Sequence, residues 1–370
     1  MTPLCLDVET TTIDKGSPYV LDNKLCYVGT YDGNTIDIQQ KEFKQTYENK
    51  LIIGFNLKFD LSWLKRYDID YSSCSIWDCQ LAHFLLTSQQ TPYPSLNLVA
   101  NYYGIGKKLD IIAEEYWDKG IDTPDIPENI MREYLSQDLL LTYKIYLRQI
   151  EDFKKYPKLY KLFLLQCEDL LVLQEMEFNG LLIDVVKSKQ LSEEATKTIE
   201  TLDEQLQAYA PGVPINFNSG DHLSCLLYGG TIEHKSSIPN GVFKTGARAG
   251  QQRYKSITYA FPLAGLFKPP KGSNLAKKGY FKTDEETLKS LTGNKEKKKL
   301  LTLLEKRAKL DKLNGTYYLG WPTHVATYDN RVHGQFNQCV ARTGRLSSSK
   351  PNQQNIAGEF KELLITRYPV

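Results

Sequence analysis

The segment "PLCLDVET" alternates strictly. Leu4, Leu6 and Val8 share one face of an extended chain, and Asp7 and Glu9 leave the other. That is the period of a β-strand with one face anchored in a core. "KLCYVGTYDGNTIDIQQ" reads as two more strands joined at Asp32-Gly33-Asn34, a hairpin signal, and "NKLIIGFN" as a short fourth strand. The period then becomes helical from about Leu61, from Asp78, from Ser95, and from Pro127 to Ile150. A strand meander followed by helices predicts a mixed α/β domain closing near residue 150.

Beyond Tyr156 the pattern is mainly helical. "KLYKLFLLQCEDLLVLQEMEFNG" predicts a long amphipathic helix stopped at Asn179-Gly180. A short strand and a second helix follow, ending at Pro211-Gly212. Residues 229 to 282, rich in Gly, Pro, Lys and Ser, read as loops and short strands, and a strongly basic helix is expected from about Lys295 to Tyr317.

Composition changes this picture in three places. The 370 residues suit two or three domains, with 41% hydrophobic and 24% charged residues, ordinary for a globular chain. The net charge of +2 hides an asymmetry. Residues 1–150 carry 21 Asp and Glu against 14 Lys and Arg, and residues 244–312 carry 18 Lys and Arg against 6 Asp and Glu. An acidic half suits metal ions and a basic stretch suits phosphates. The seven cysteines form no CxxC pair, which argues against a disulfide framework or zinc site and for a reducing compartment. Asp7, Glu9 and Asp14 interrupt any signal-peptide core, and no apolar run has the length of a membrane span. The expected location is the cytoplasm.

The candidate chemistry is carboxylate chemistry. Asp7 and Glu9, two apart on one strand face, repel each other unless a cation lies between them. Alone, such a pair is more often a solvated strand face. Asn56 and Asp60 are four apart where a strand passes into a helix, although Asp60 could simply cap that helix. Tyr134 and Asp138 stand four apart on one helix face, where Asp138 interrupts an apolar stripe of Leu135, Leu139 and Leu141; its plain reading is a surface charge.

Together and in this order, Asp7-Val8-Glu9, Asn56-Leu57-Lys58-Phe59-Asp60 and Tyr134-Leu135-Ser136-Gln137-Asp138 resemble the motifs of the proofreading 3′–5′ exonuclease family, in its Asp-Glu-Asp-Asp form with a tyrosine in the third motif. The resemblance covers about residues 3 to 148. "WDCQLAHFLL" matches an Asp-led helix between motifs, with Asp78 read as its N-cap and not as a ligand. It implies an α/β, ribonuclease H-like (DnaQ-like) domain with a mixed sheet, hydrolysing phosphodiesters with two divalent ions, Mg²⁺ or Mn²⁺. By the same resemblance Asp7 bridges both ions, Glu9 and Asp138 complete the first, and Asp60 supports the second. Tyr134 orients the attacking water, and Asn56 and Phe59 contact DNA. Hard carboxylate oxygens with no His or Cys cluster agree with those metals.

Further on, "EMEFNGLLID", "INFNSGDHLSCLLYGG", "FKTDEETLKSL", "LLEKRAKLDKLNGTYY" and "VHGQFNQCVARTGRLSSSKPNQQNI" resemble, in order, segments of family A DNA polymerases. The implied organisation is an exonuclease at 1–150, a helical DNA-gripping thumb at 151–325 with a basic insertion at about 229–282, and the start of the palm at 326–370. Thr343, Arg345, Asn352, Gln354 and Asn355 are the implied DNA contacts, with Arg307, Lys312 and Thr316 in the thumb. Ala357 departs from the proline usual in the family. In the family, the segment resembling "LLITRYPV" leads into the Asp-Tyr-Ser-x-x-Glu motif that carries the first polymerase aspartate, and here Val370 is the last residue. Nucleotide addition is therefore not expected of this chain alone.

The leading expectation is a proofreading 3′–5′ DNA exonuclease within a family A polymerase, acting in DNA replication. Its start at the exonuclease resembles the compact bacteriophage enzymes, which places it in a bacterial or phage-infected cytoplasm. The alternatives are a DNA-holding subunit that docks a separate C-terminal polymerase chain, a merely shortened polymerase, and an RNA-trimming exonuclease.

Overall fold

The computed structural model describes residues 1–107 and 111–366. The last four residues of the "LLITRYPV" stretch lie outside them. The described chain forms two compact units, residues 1–184 with 321–370, and residues 185–320.

The first unit is built on five strands: β1 (Thr2–Thr10), β2 (Leu25–Tyr31), β3 (Ile36–Gln39), β4 (Lys50–Gly54) and β5 (Ser75–Asp78). Their order is β3-β2-β1-β4-β5. β1, β2 and β3 pair antiparallel, and β4 and β5 extend the sheet in parallel. The helices are α1 (Leu57–Arg66), α2 (Cys79–Leu86), α3 (Leu96–Tyr102), α4 (Ile111–Glu115), α5 (Glu128–Lys154) and α6 (Pro157–Asn179), with β6 (Leu182–Ile183) closing the run. Four strands and the hairpin agree with the alternation. β5 was not foreseen, because four residues following a turn carry too little pattern.

α5 is held against the sheet at three points. The Cys5 thiol on β1 donates to the Leu139 carbonyl at 3.5 Å. Gln149, fully buried, accepts from Trp77 Nε1 at 3.0 Å and donates to the Cys79 carbonyl at 2.8 Å. Gly29 on β2 supplies the third: a Cβ there would lie 2.9 Å from Leu135 and from Leu139, so glycine sets how closely α5 approaches.

The second unit contains α7 (Val185–Gln207), α8 (Gly220–Tyr228), α9 (Glu285–Ser290) and α10 (Lys295–Lys312). A π-helical turn, Leu313–Leu319, continues α10. Leu206, Phe217, Leu226, Leu227, Leu300 and Leu304 form its core. Between α8 and α9 stand two long antiparallel strands, β7 (Gly230–Val242) and β8 (Gln252–Leu263). The expectation for this stretch was loops and short strands. Its Thr, Ile, Tyr and Phe alternate enough for a ribbon, but glycines and lysines mask them in composition.

The chain then returns to the first unit with β9 (Gln335–Asn337), β10 (Ser347–Ser349) and β11 (Leu364–Ile365). β9 pairs with β10 and β11 with β6, and the Trp321 and Phe360 rings pack 4.9 Å apart. An ion pair with a buried carboxylate ties this segment to α1 and α6. Lys58 Nζ meets Glu177 Oε1 at 2.6 Å and donates to the Phe336 carbonyl, while Phe336 N donates to the same Glu177 oxygen at 2.6 Å. Burial pushes the Glu177 carboxyl up and Lys58 draws it back. Lys58→Met should destabilise the fold by about 2 kcal/mol in urea unfolding, because it strands a buried carboxylate. Adding Glu177→Gln should recover part of that loss, and a double variant no better than the single would refute the pairing.

Candidate active site

Because β1 alternates, Cys5, Asp7 and Glu9 all point toward α5, and Asp138 is the residue before the Leu139 that meets Cys5. One carboxylate oxygen from each of Asp7, Glu9 and Asp138 lies within 4.8 Å of the others. Glu9 and Asp138 are buried and Asp7 is partly exposed. Three carboxylates this close, two of them shielded from water, repel strongly, and a hard divalent cation is the partner their oxygens suit.

Asp60 lies outside that trio but is joined to it. Its Oδ1 accepts from Val8 N at 3.1 Å, and Asp7 Oδ1 approaches the same N–H at 3.1 Å. Burial, and then the charge of Asp7, raise the Asp60 carboxyl well above its ordinary range. Asp60 therefore does not cap its helix; its carboxylate reaches across to β1.

The helix start is pinned from elsewhere. Asp78 Oδ1 accepts from Leu81 N at 2.8 Å, the expected N-cap of α2, and its Oδ2 accepts from Leu57 N at 2.7 Å, the first residue of α1. One buried side chain thus sets two helix starts. Asn56, at α1's N-cap position, takes left-handed angles (φ 63°, ψ 49°) and is exposed. Asn56 and the half-buried Phe59 line a cleft of about 270 Å³ with Tyr93, Gln335 and Asn337. Gln335 and Asn337 were not singled out in sequence, since β9 meets α1 through long-range contacts such as Lys58 with the Phe336 carbonyl, which leave no local pattern. Tyr134 is buried, its ring edge-on to Trp117 at 5.9 Å.

The remaining positions divide by exposure. Thr343, Arg345, Asn352, Gln354 and Asn355 are all exposed on the turns flanking β10. Lys312 and Thr316 are exposed at the end of α10 and in the π-helical turn. Arg307 is buried: its Nε meets Asp203 Oδ1 at 2.6 Å, and its Nη1 donates to Asn218. The guanidinium joins α10 to α7 within the second unit.

Residues 1–149 match the family model described as 3′-5′ exonuclease, and residues 263–367 match that described as DNA polymerase family A. The first of these matches marks residues 1–149 as a 3′–5′ exonuclease domain. The chain is similar, over most of its length, to bacterial DNA polymerases I. It is 29% identical to DNA polymerase I of Synechocystis sp. over 81% of this chain and 26% of the relative. To DNA polymerase I of Bacillus subtilis it is 25% identical, over 77% and 27% respectively. To that of Helicobacter pylori it is 24% identical, over 90% and 31%. The chain thus spans between about a quarter and a third of the length of these three relatives. Among solved structures, the POL domain of Pol1 from M. smegmatis in complex with DNA primer-template and dNTP superposes with a TM-score of 0.65 at 17% identity, covering 96% of this chain and 52% of that one. That likeness is one of fold. Among the described residues, no helix is long and apolar enough to cross a membrane.

Proposed function

We propose that this chain is a proofreading 3′–5′ DNA exonuclease. The proposal rests on one observation above the rest, the convergence of Asp7, Glu9 and Asp138 within 4.8 Å, with Asp60 sharing the Val8 N–H beside them. These residues would hold divalent ions, two of them, Mg²⁺ or Mn²⁺. When bound, such ions activate water, stabilise the leaving 3′ oxygen and neutralise charge on the phosphate. The protein's own contribution is placement. Gly29 and Gln149 seat α5 so that Asp138 faces β1. Asp78 aims α1, which carries Asp60 at one side and presents Asn56 and Phe59 to the neighbouring cleft.

In that cleft Phe59 offers a ring for a terminal base and Asn56, Gln335 and Asn337 offer amides to sugar and phosphate. Lys58 is committed to Glu177 and takes no part in holding the strand. Tyr134, four residues before Asp138, orients the attacking water. We assign residues 1–150 to the exonuclease, 151–325 to a thumb and 326–370 to the start of a palm. In this reading the exposed Thr343, Arg345, Asn352, Gln354 and Asn355 position a primer–template, with Lys312 and Thr316 in the thumb.

The substrate class is tested with 5′-labelled single strands of DNA and RNA of one sequence. DNA should be shortened faster, from the 3′ end, one nucleotide at a time. Faster shortening of RNA would make the chain an RNA-trimming enzyme instead.

A further inference from the structure

The β7–β8 ribbon has no role in the site described above, and it lies outside both family matches except for its last residue. It is two strands and nothing more. Almost every residue of it is exposed, Ile232 at its base being the one fully buried side chain. A lone two-stranded ribbon is marginal in water and gains little by standing free. Its side chains show what it faces. The two strands and the turn between them, residues 230–263, carry five Lys and Arg against a single acid, Glu233.

The cross-strand register distributes those charges. Residues directly opposite in an antiparallel pair share a face. Lys255 opposite Ile238 and Tyr259 opposite His234, with Arg253, occupy one face. Lys235 opposite Thr258, and Tyr254 opposite Pro239, occupy the other. The tip adds exposed Lys244 and Arg248, the latter 4.7 Å above the Phe243 ring. Cations thus project from both faces and the end. A strand of DNA lying across one face would meet only half of them. The groove of a duplex has phosphates along both walls, and the major groove is wide enough for a two-stranded ribbon. The face of Arg253 and Lys255 also carries Ile238, Ile257, Tyr259 and Phe261.

We propose that the β7–β8 ribbon enters a groove of duplex DNA and clasps the phosphate backbones on both sides, independently of base sequence. Its role is to keep the enzyme on DNA, and it adds a contact to the thumb without touching the chemistry. The proposal deepens the DNA-exonuclease reading and rests on it for the choice of polyanion, but it is tested without cleavage.

The full chain carrying Asp7→Ala, to prevent digestion, is titrated onto a blunt duplex by fluorescence anisotropy between about 50 and 200 mM salt. It is compared with the same chain carrying Lys235→Gln, Lys244→Gln, Arg253→Gln and Lys255→Gln, all exposed positions. The four substitutions should weaken duplex binding by roughly tenfold or more and reduce the slope of log affinity against log salt by about 3 to 4. Exchanging Lys for Arg and Arg for Lys at the same positions should retain both. A single strand of equal length should lose less than the duplex.

Unchanged affinity and slope on the duplex would overturn the proposal. So would an equal loss on single strands, which would make the ribbon a general polyanion surface, or aggregation of the neutral variant with duplex binding intact, which would make its lysines a guard against strand addition. An unmutated chain that cuts no DNA but shows the slope change would sink the exonuclease reading and leave the ribbon standing.

Discussion

Asp7→Ala should lower the rate of 3′-terminal nucleotide release by at least about 10³-fold, a loss of about 4 kcal/mol in transition-state stabilisation. Asp7 is the only member of the trio with appreciable exposure, and it alone also meets the Val8 N–H that Asp60 uses. Its removal therefore disconnects the two halves of the carboxylate set. The same variant should be no less stable. In EDTA three carboxylate oxygens within 4.8 Å repel one another, so deleting one relieves the fold and the Tm should rise. Added Mg²⁺ should raise the Tm of the wild type but not of the variant, since only a folded site that binds the ion gains from it. A variant that loses activity and stability together would point to a structural role for Asp7.

Asp78→Ala should show the opposite pattern, a large loss of stability with activity falling as a consequence. Its two oxygens cap α1 and α2 at 2.7 and 2.8 Å from within the core. Burial raises its carboxyl while the helix N–H groups draw it down, so those donors are what hold the charge inside. Losing both bonds orphans N–H groups at two helix starts, at a cost of about 3 kcal/mol. Asp78→Asn keeps one acceptor oxygen and should lose about half as much. Urea unfolding gives both values, and equal stability of Asp78→Ala and wild type would refute the double cap.

The legible part of this protein was whatever its side chains state locally. The β1 alternation placed Asp7 and Glu9 on one face, and the helical spacing of Tyr134 and Asp138 placed them on another. Their convergence was carried by the family resemblance, because strand pairing between distant segments leaves no local pattern. What holds the site was less visible. Gly29 looks like any strand glycine until Leu135 and Leu139 are packed over it. The start of α1 at Leu57, ahead of the expected Leu61, depends on Asp78 twenty-one residues away. Arg307 sits in a lysine-rich run that reads as a solvated face, yet its guanidinium is buried against Asp203, 104 residues earlier. Charge runs report the average exposure of a helix and not the fate of one residue in it. The ribbon is the converse case, where flexible-looking composition concealed regular strands.

The central claim is that these carboxylates cut DNA from its 3′ end with divalent metal. The most direct measurement is the digestion of a 5′-labelled single strand by wild type and Asp7→Ala side by side, in Mg²⁺ and again in EDTA. The wild type in Mg²⁺ should produce a ladder descending one nucleotide at a time, with the reaction halted by EDTA and absent from the variant. Equal ladders from wild type and variant, or a wild-type ladder indifferent to EDTA, would contradict it.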